Sequence, residues 1–252
     1  MPDKDKKYAS EVIDLPSGGK VYPKDSPVSS GKISIKYMTA KEEDILTSQN
    51  LIKKGVVIDE LLKQLIVTEG VTSEDLILGD KNAVMVAARI LAYGPEYEVE
   101  ITHPETGEKM SHIFNLGDCP FKELPDNVDY SKGTFEITLS ISKSKVEFKL
   151  LTGKDEMLIE QDLKATKKLG GVSPEITSRL KRTIISVDGK TTQKEINEFV
   201  DNMLARDSLQ LREEMSRVSP DIDLTQEVFW EGEAVTVEIP MAVQFFWPRA
   251  KA

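Results

Sequence analysis

Residues 37–46 read YMTAKEEDIL, and residues 150–159 read LLTGKDEMLI. Thr39 and Thr152, Lys41 and Lys154, and Glu43 and Glu156 match, each pair 113 positions apart. Each stretch follows an alternating segment, GKISIKYM (31–38) or KVEFKLL (145–151), and a period of two predicts a strand. A helix start comes next. Thr39 is placed as N-cap, and Glu42, three residues on, completes a capping box. Glu42, Glu43 and Asp44 put negative charge in the first turn, where the helix dipole favours it, and Ile45 and Leu46 open the buried face. Thr152 takes the same place with Asp155 and Glu156 behind it. Gly153 and the shorter Asp155 make this second cap the weaker one.

The match continues outward. VVIDELLKQLIV (56–67) resembles EITSRLKRTIIS (175–186), with Leu62 matching Leu180, Lys63 matching Lys181 and Ile66 matching Ile184, each pair 118 positions apart. DKNAVMVAARILA (80–92) aligns with QKEINEFVDNMLA (193–205), with Lys81, Leu91 and Ala92 on Lys194, Leu204 and Ala205. A candidate β-hairpin closes each half: EYEVEIT and MSHIFNL around HPETGEK, then QEVFW and AVTVEIPM around EGE. Blocks repeated in one order predict an internal repeat, strand–helix–helix–helix–hairpin. The expected fold class is α+β, in two tandem similar modules, each mainly helical with a β-hairpin.

Helix ends support this division. Asp80 is a candidate cap for a helix that Gly94 and Pro95 terminate, with Ala83, Ala87 and Ala88 as a small-residue face. Thr192 and Glu195 repeat the capping-box pattern ahead of an amphipathic stripe, Ile196, Phe199, Val200, Met203 and Leu204. Ser173 followed by Pro174 marks a further start. The expected layout is an N-terminal arm over 1–32, a first module over 33–118, a linker over 119–133 and a second module over 134–252. The arm holds turn residues and little to bury, so its order depends on something holding it.

Composition narrows the function. With 43 acidic and 33 basic residues the formal charge is −10, which disfavours phosphate binding, and the short basic clusters are mixed with acids. No apolar run reaches the roughly 20 residues of a membrane span, and MPDKDKKYAS lacks a secretory apolar stretch. One cysteine, Cys119, fits a reducing cytoplasm.

Catalytic groups are sparse. His103 and His112, the two histidines, flank the first hairpin turn. They and Cys119 are weak metal candidates, because structural zinc takes paired ligands two to four residues apart, and a fourth ligand would have to be a carboxylate such as Glu105. LPSGG and KLGGVS match neither a P-loop nor a dinucleotide fingerprint. Arg206, Asp207 and Ser208 read as a helix break with local capping. Catalytic residues and cofactors are therefore expected to be none. IPMAVQFFWPRAKA (239–252) carries Phe245, Phe246 and Trp247 in a row. As a strand it would bury one face in the core, and the other face would be either covered by this chain or available to anchor a partner.

With LPSGGKVYP, the doubled helix opening, GDKNAVMVAARILAYG, RLKRTIISVDG, LARDSLQLR and FFWP assembled, the chain resembles the bacteriophage base plate protein family. This family comprises baseplate hub proteins of T-even-type contractile-tailed phages, among them a hub subunit and a hub assembly catalyst. The likeness runs from about residue 11 to 249. It implies hairpins carrying cysteine pairs that make a zinc ribbon. Here His103 and Thr106 stand where the first pair would be, and 226–238 has no cysteine, so the expected hairpins are degenerate zinc-ribbon-like and bind no metal. Val99, Ile101, Ile113 and Phe114 would have to hold them by packing. The resemblance further implies a structural or assembly role in the virion, at the tail baseplate, after assembly in the host cytoplasm. Its implied partners are other baseplate hub proteins and the tape-measure protein. A tape-measure chaperone not retained in the virion is one alternative, and a metal-dependent hydrolase a more distant one.

Overall fold

A computed structural model describes residues 9–168, 173–241 and 243–246. In chain order the first half runs β1 (Ser10–Asp14), β2 (Lys32–Lys36), α1 (Ala40–Thr47), α2 (Gln49–Lys54), α3 (Val57–Leu65), α4 (Leu78–Tyr93), β3 (Glu96–Thr102) and β4 (Lys109–Asn115). The second runs β5 (Thr134–Thr138), β6 (Lys145–Lys149), α5 (Gly153–Lys168), α6 (Glu175–Thr183), β7 (Ile184–Val187), α7 (Gln193–Asp201), α8 (Ala205–Val218), β8 (Thr225–Trp230) and β9 (Glu233–Glu238). The class is α+β, with small antiparallel sheets.

Both quoted stretches start helices, and they do so with the same contacts. On β2, Ile33 and Ile35 are buried; on β6, Val146 and Phe148 are. Past β2, the Thr39 amide and hydroxyl donate to one Glu42 oxygen at 2.9 and 2.6 Å, and Lys36 Nζ reaches the other at 2.8 Å. Past β6, the Thr152 amide and hydroxyl donate to one Asp155 oxygen at 3.1 Å each, and Lys149 Nζ reaches it at 2.7 Å. The shorter carboxylate thus completes the cap that its length made doubtful.

The parallel extends to the return onto the sheet. After α3, Ile66 bridges Ile35, and the Val67 amide donates to the Ser34 carbonyl at 3.0 Å. After α6, Ile184 pairs with Phe148 as β7 joins β6. β1 and β5 lie antiparallel on the opposite edges of β2 and β6.

Three expectations shift. Ile77, not Asp80, is the N-cap of α4, and Asp80 is the third residue of the helix. Helix α6 begins at Glu175, with Pro174 as its N-cap. Residues 9–32 are more than an arm: beyond strand β1, the loop to β2 buries Leu15, Ser17 and Val28. That loop folds on itself where Gly19 and Gly31 meet it at φ +76° and +73°. A Cβ on Gly19 would lie 2.3 Å from the Ser29 carbonyl oxygen, so only glycine fits.

Two apolar clusters form the core. One gathers Ile33, Ile35, Leu61, Leu62 and Leu65 with residues of both hairpins, among them Tyr97, Phe114, Val228 and Val237. The other gathers Phe135, Phe148, Leu180, Ile184 and Leu211. The C-terminal hairpin therefore packs into the cluster built by the first half. Within the first hairpin, Ile101 and Phe114 are buried and Val99 packs against the core. Ile113 does not contribute: alternation sends it outward, 58% exposed, and Tyr97 fills the core in its place. Among the described residues no helix is long and apolar enough to cross a membrane.

Candidate interaction surface at the seam

The two halves are joined by backbone as well as side chains. Leu78 N donates to the Leu151 carbonyl at 3.1 Å, while Gly153 N and Lys154 N donate to the Leu76 and Glu74 carbonyls at 2.8 and 2.9 Å. The first amides of α5, which no helical carbonyl can satisfy, are thus capped by the segment leading into α4. Close approach requires small residues. A Cβ on Gly79 would stand 1.8 Å from the Pro220 carbonyl oxygen, and one on Gly153 would stand 2.2 Å from that of Ser73. A second strip joins 120–122 to 221–223, where Phe121 bridges Ile222 and Asp223 N donates to the Pro120 carbonyl at 2.8 Å.

Buried carboxylates brace this seam. Asp80, fully buried, accepts from the Ser17 amide at 2.9 Å and from the Ser17 and Tyr22 hydroxyls at 2.6 Å each. Tyr22 Oη in turn accepts from the Ile77 amide at 3.0 Å. Burial pushes the Asp80 carboxyl above its ordinary range, against the pull of these donors, and it also pushes the Tyr22 phenol up. Asp221 is raised by burial too, although Asn82 donates to it at 3.1 Å. In the second half, Asp207 accepts from the Ile141 and Ser142 amides at 2.9 Å each. Burial disfavours its charge, but those amides outweigh it and hold the carboxyl low.

Beside the seam lies a cavity of about 420 Å³ between α6 and α8. Ile77, Leu150, Ile176, Leu180, Met215 and Pro220 give it an apolar wall, Lys149, Arg179 and Arg212 supply positive charge, and Glu175 and Asp221 supply carboxylates. A second cavity of about 720 Å³ shares Ser216, Ser219 and Asp221 with it. Asp80 has no exposed oxygen and lines neither, and no histidine lines either. The arrangement is suited to receiving an apolar group flanked by charge.

The residues singled out from the sequence lie elsewhere. His103 organises the hairpin turn: its Nδ1 accepts from the Glu105 and Thr106 amides at 3.2 Å each, and its ring meets Trp230 edge-on at 5.3 Å. His112, paired with Val99 in mid-hairpin, stacks edge-on against Phe114 at 4.6 Å. Cys119, past the base of the hairpin, accepts from Gln226 Nε2 at 3.4 Å, and burial pushes its thiol up. The three are spread from the turn of a hairpin roughly 20 Å long to beyond its base, and among the described residues no three His, Cys, Asp or Glu side chains gather as a metal set.

Phe245 and Phe246 correct the reading of them as partner anchors. They lie in a 3-10 turn (Val243–Phe246), not a strand, and both are 0% exposed. Phe245 packs edge-on against Tyr97 at 5.0 Å and Phe246 at 5.4 Å, so the chain's own core covers them. Trp247 lies outside the described residues. Arg89, which the sequence did not mark, fastens this turn: Nε donates to the Phe245 carbonyl at 3.0 Å, and the other nitrogens reach the Gly94 and Glu96 carbonyls. Its one legible signal was an arginine within the alanine-rich stretch AVMVAARILA. Arg212 was equally unmarked, because an arginine on a charged helix carries no local signature.

A family model described as T4 bacteriophage base plate protein matches residues 7–247. No curated protein and no solved structure matches the chain.

Proposed function

The chain belongs to the T4 bacteriophage base plate protein family, and from that premise we propose that it is a hub component or hub assembly factor of a contractile-tail baseplate. It works through contacts with other tail proteins and catalyses no reaction. The observation that carries this reading is the family match over nearly the whole chain. The seam supports it, since an apolar cavity with charged edges and no histidine is suited to holding a protein segment. Mass spectrometry of purified particles, with deletion of the gene, is the test. A hub subunit is found in mature tails and its loss stops baseplate formation. A chaperone of the tape-measure protein, acting in the host cytoplasm, is needed for tails yet missing from them. Normal tails without the protein overturn both.

We further read the two halves as copies of one unit, with hairpins that stand where zinc ribbons would. Support comes from paired hydrogen-bond sets: Lys36, Thr39 and Glu42 beside Lys149, Thr152 and Asp155, and the Ile66–Ile35 bridge beside Ile184–Phe148. Superposing 33–116 on 145–239 tests it.

A further inference from the structure

The charges around the seam cavity are not equally satisfied. Lys149 pairs with Asp155 at 2.7 Å, and Arg179 makes two contacts with Glu156, at 2.7 and 2.5 Å. Glu175 sits in the first turn of α6, where the helix dipole supports a negative charge. Arg212 stands in the middle of α8 with no such support, and among the described residues no carboxylate lies within ion-pair distance of it. Asp221, also in the lining, accepts from Asn82 and from the Ile222 amide, so Arg212 is the cation of this cavity that lacks a carboxylate among the described residues. Apolar surface accompanies it. Ile176, in the wall of the cavity, is 49% exposed, and Leu209, three residues before Arg212 on the same face of α8, is 47% exposed. The volume of about 420 Å³ lies within the roughly 300–1,000 Å³ of pockets that enclose a bound group.

We propose that the seam cavity is a docking site for a segment of a partner protein that inserts a large apolar side chain and brings a carboxylate to Arg212. This rests on the reading that the chain acts through protein contacts, and it specifies the chemistry of one such partner. Complementary charge is what selects the occupant. A segment with a basic residue beside its apolar anchor would oppose Arg212, while an acidic one completes the only cation of the cavity left without a carboxylate among the described residues.

The test is selection of a random displayed peptide library on the intact chain, followed by binding of the best synthetic peptide. The expected winners carry a large apolar residue with Asp or Glu close by. Their affinity falls by about tenfold or more in Arg212→Glu and in Ile176→Asp. Both positions bear exposed side chains, and unchanged melting curves verify that the variants fold. Replacing the peptide's acid by lysine restores binding to Arg212→Glu. The proposal is overturned by peptides without an acidic preference, by binding that neither variant weakens, by failure to enrich any peptide, or by a self-association that Ile176→Asp abolishes, which would make a second copy the occupant. Presence of the protein in tails is measured separately on particles, so failure of the docking chemistry and failure of the baseplate reading are distinguishable.

Discussion

Asp80 and Asp207 occupy matching positions: each is the third residue of its helix, buried, with a carboxylate that holds the loop joining the first two strands of its half. Asp80 takes the Ser17 amide, and Asp207 takes the amides of Ile141 and Ser142. In this contact α4 resembles α8, whereas the sequence blocks had set α4 beside α7. The α7 start resembles the turn at Thr72, whose amide and hydroxyl donate to Asp75 as the Thr192 hydroxyl does to Glu195.

Asp80→Ala leaves the buried Ser17 amide and the Tyr22 hydroxyl without their acceptor. The expected loss is about 3 kcal/mol, read by urea denaturation. Asp80→Asn keeps one acceptor oxygen and loses less. If alanine is tolerated without cost, the carboxylate does not hold the loop.

Acid should weaken the first helix cap. Burial opposes the Glu42 charge, but Lys36 and Thr39 outweigh it and take the carboxyl down from 4.5 to about 2. A depressed folded value means stability present above the unfolded value and lost as pH falls through the folded one. Glu42 thus contributes on the order of 3 kcal/mol, fading between about pH 4.5 and 2. Asp155, held low by Lys149 and Thr152 against its burial, acts in the same direction. Glu42→Gln flattens that part of the stability–pH curve; an unchanged slope would rule the cap out as its source.

Gly79→Ala drives a methyl group into the Pro220 carbonyl, against backbone that has no rotamer to yield. The cost is about 3 kcal/mol or more, and protease cleavage near 119–133 should rise as the seam loosens. Gly94→Ala is the control, since nothing lies within 4 Å of its Cβ position and only its φ of +83° is strained.

Two phenylalanines should respond in opposite ways. Phe245→Ala empties a fully buried site and costs about 3–5 kcal/mol, whereas Phe229, 76% exposed on β8, changes stability by about 0.5 kcal/mol or less when replaced by serine. Thermal melting separates them. A similar loss in both would mean that Phe229 is covered by the chain in solution.

Chelation tests the hairpins. With His103 and His112 apart on the first one and Cys119 past its base, EDTA is expected to leave the melting temperature unchanged. A drop in melting temperature that zinc reverses would put a metal back into the fold.

What the sequence by itself determined were the features set within a few residues: strands from alternation, caps from a threonine and an acid three apart, the hairpins from their turns. Those interactions close over short spans, so their spacing is written in the chain. The tertiary structure alone decided that Asp80 reaches back to Ser17, that Arg89 holds Phe245, that the last hairpin joins the first core and that Arg212 faces an apolar cavity. Each joins groups far apart in sequence, or sets a charge where only its surroundings leave it unpaired. Burial and hydrogen bonding depend on that spatial neighbourhood, and local periodicity does not encode it.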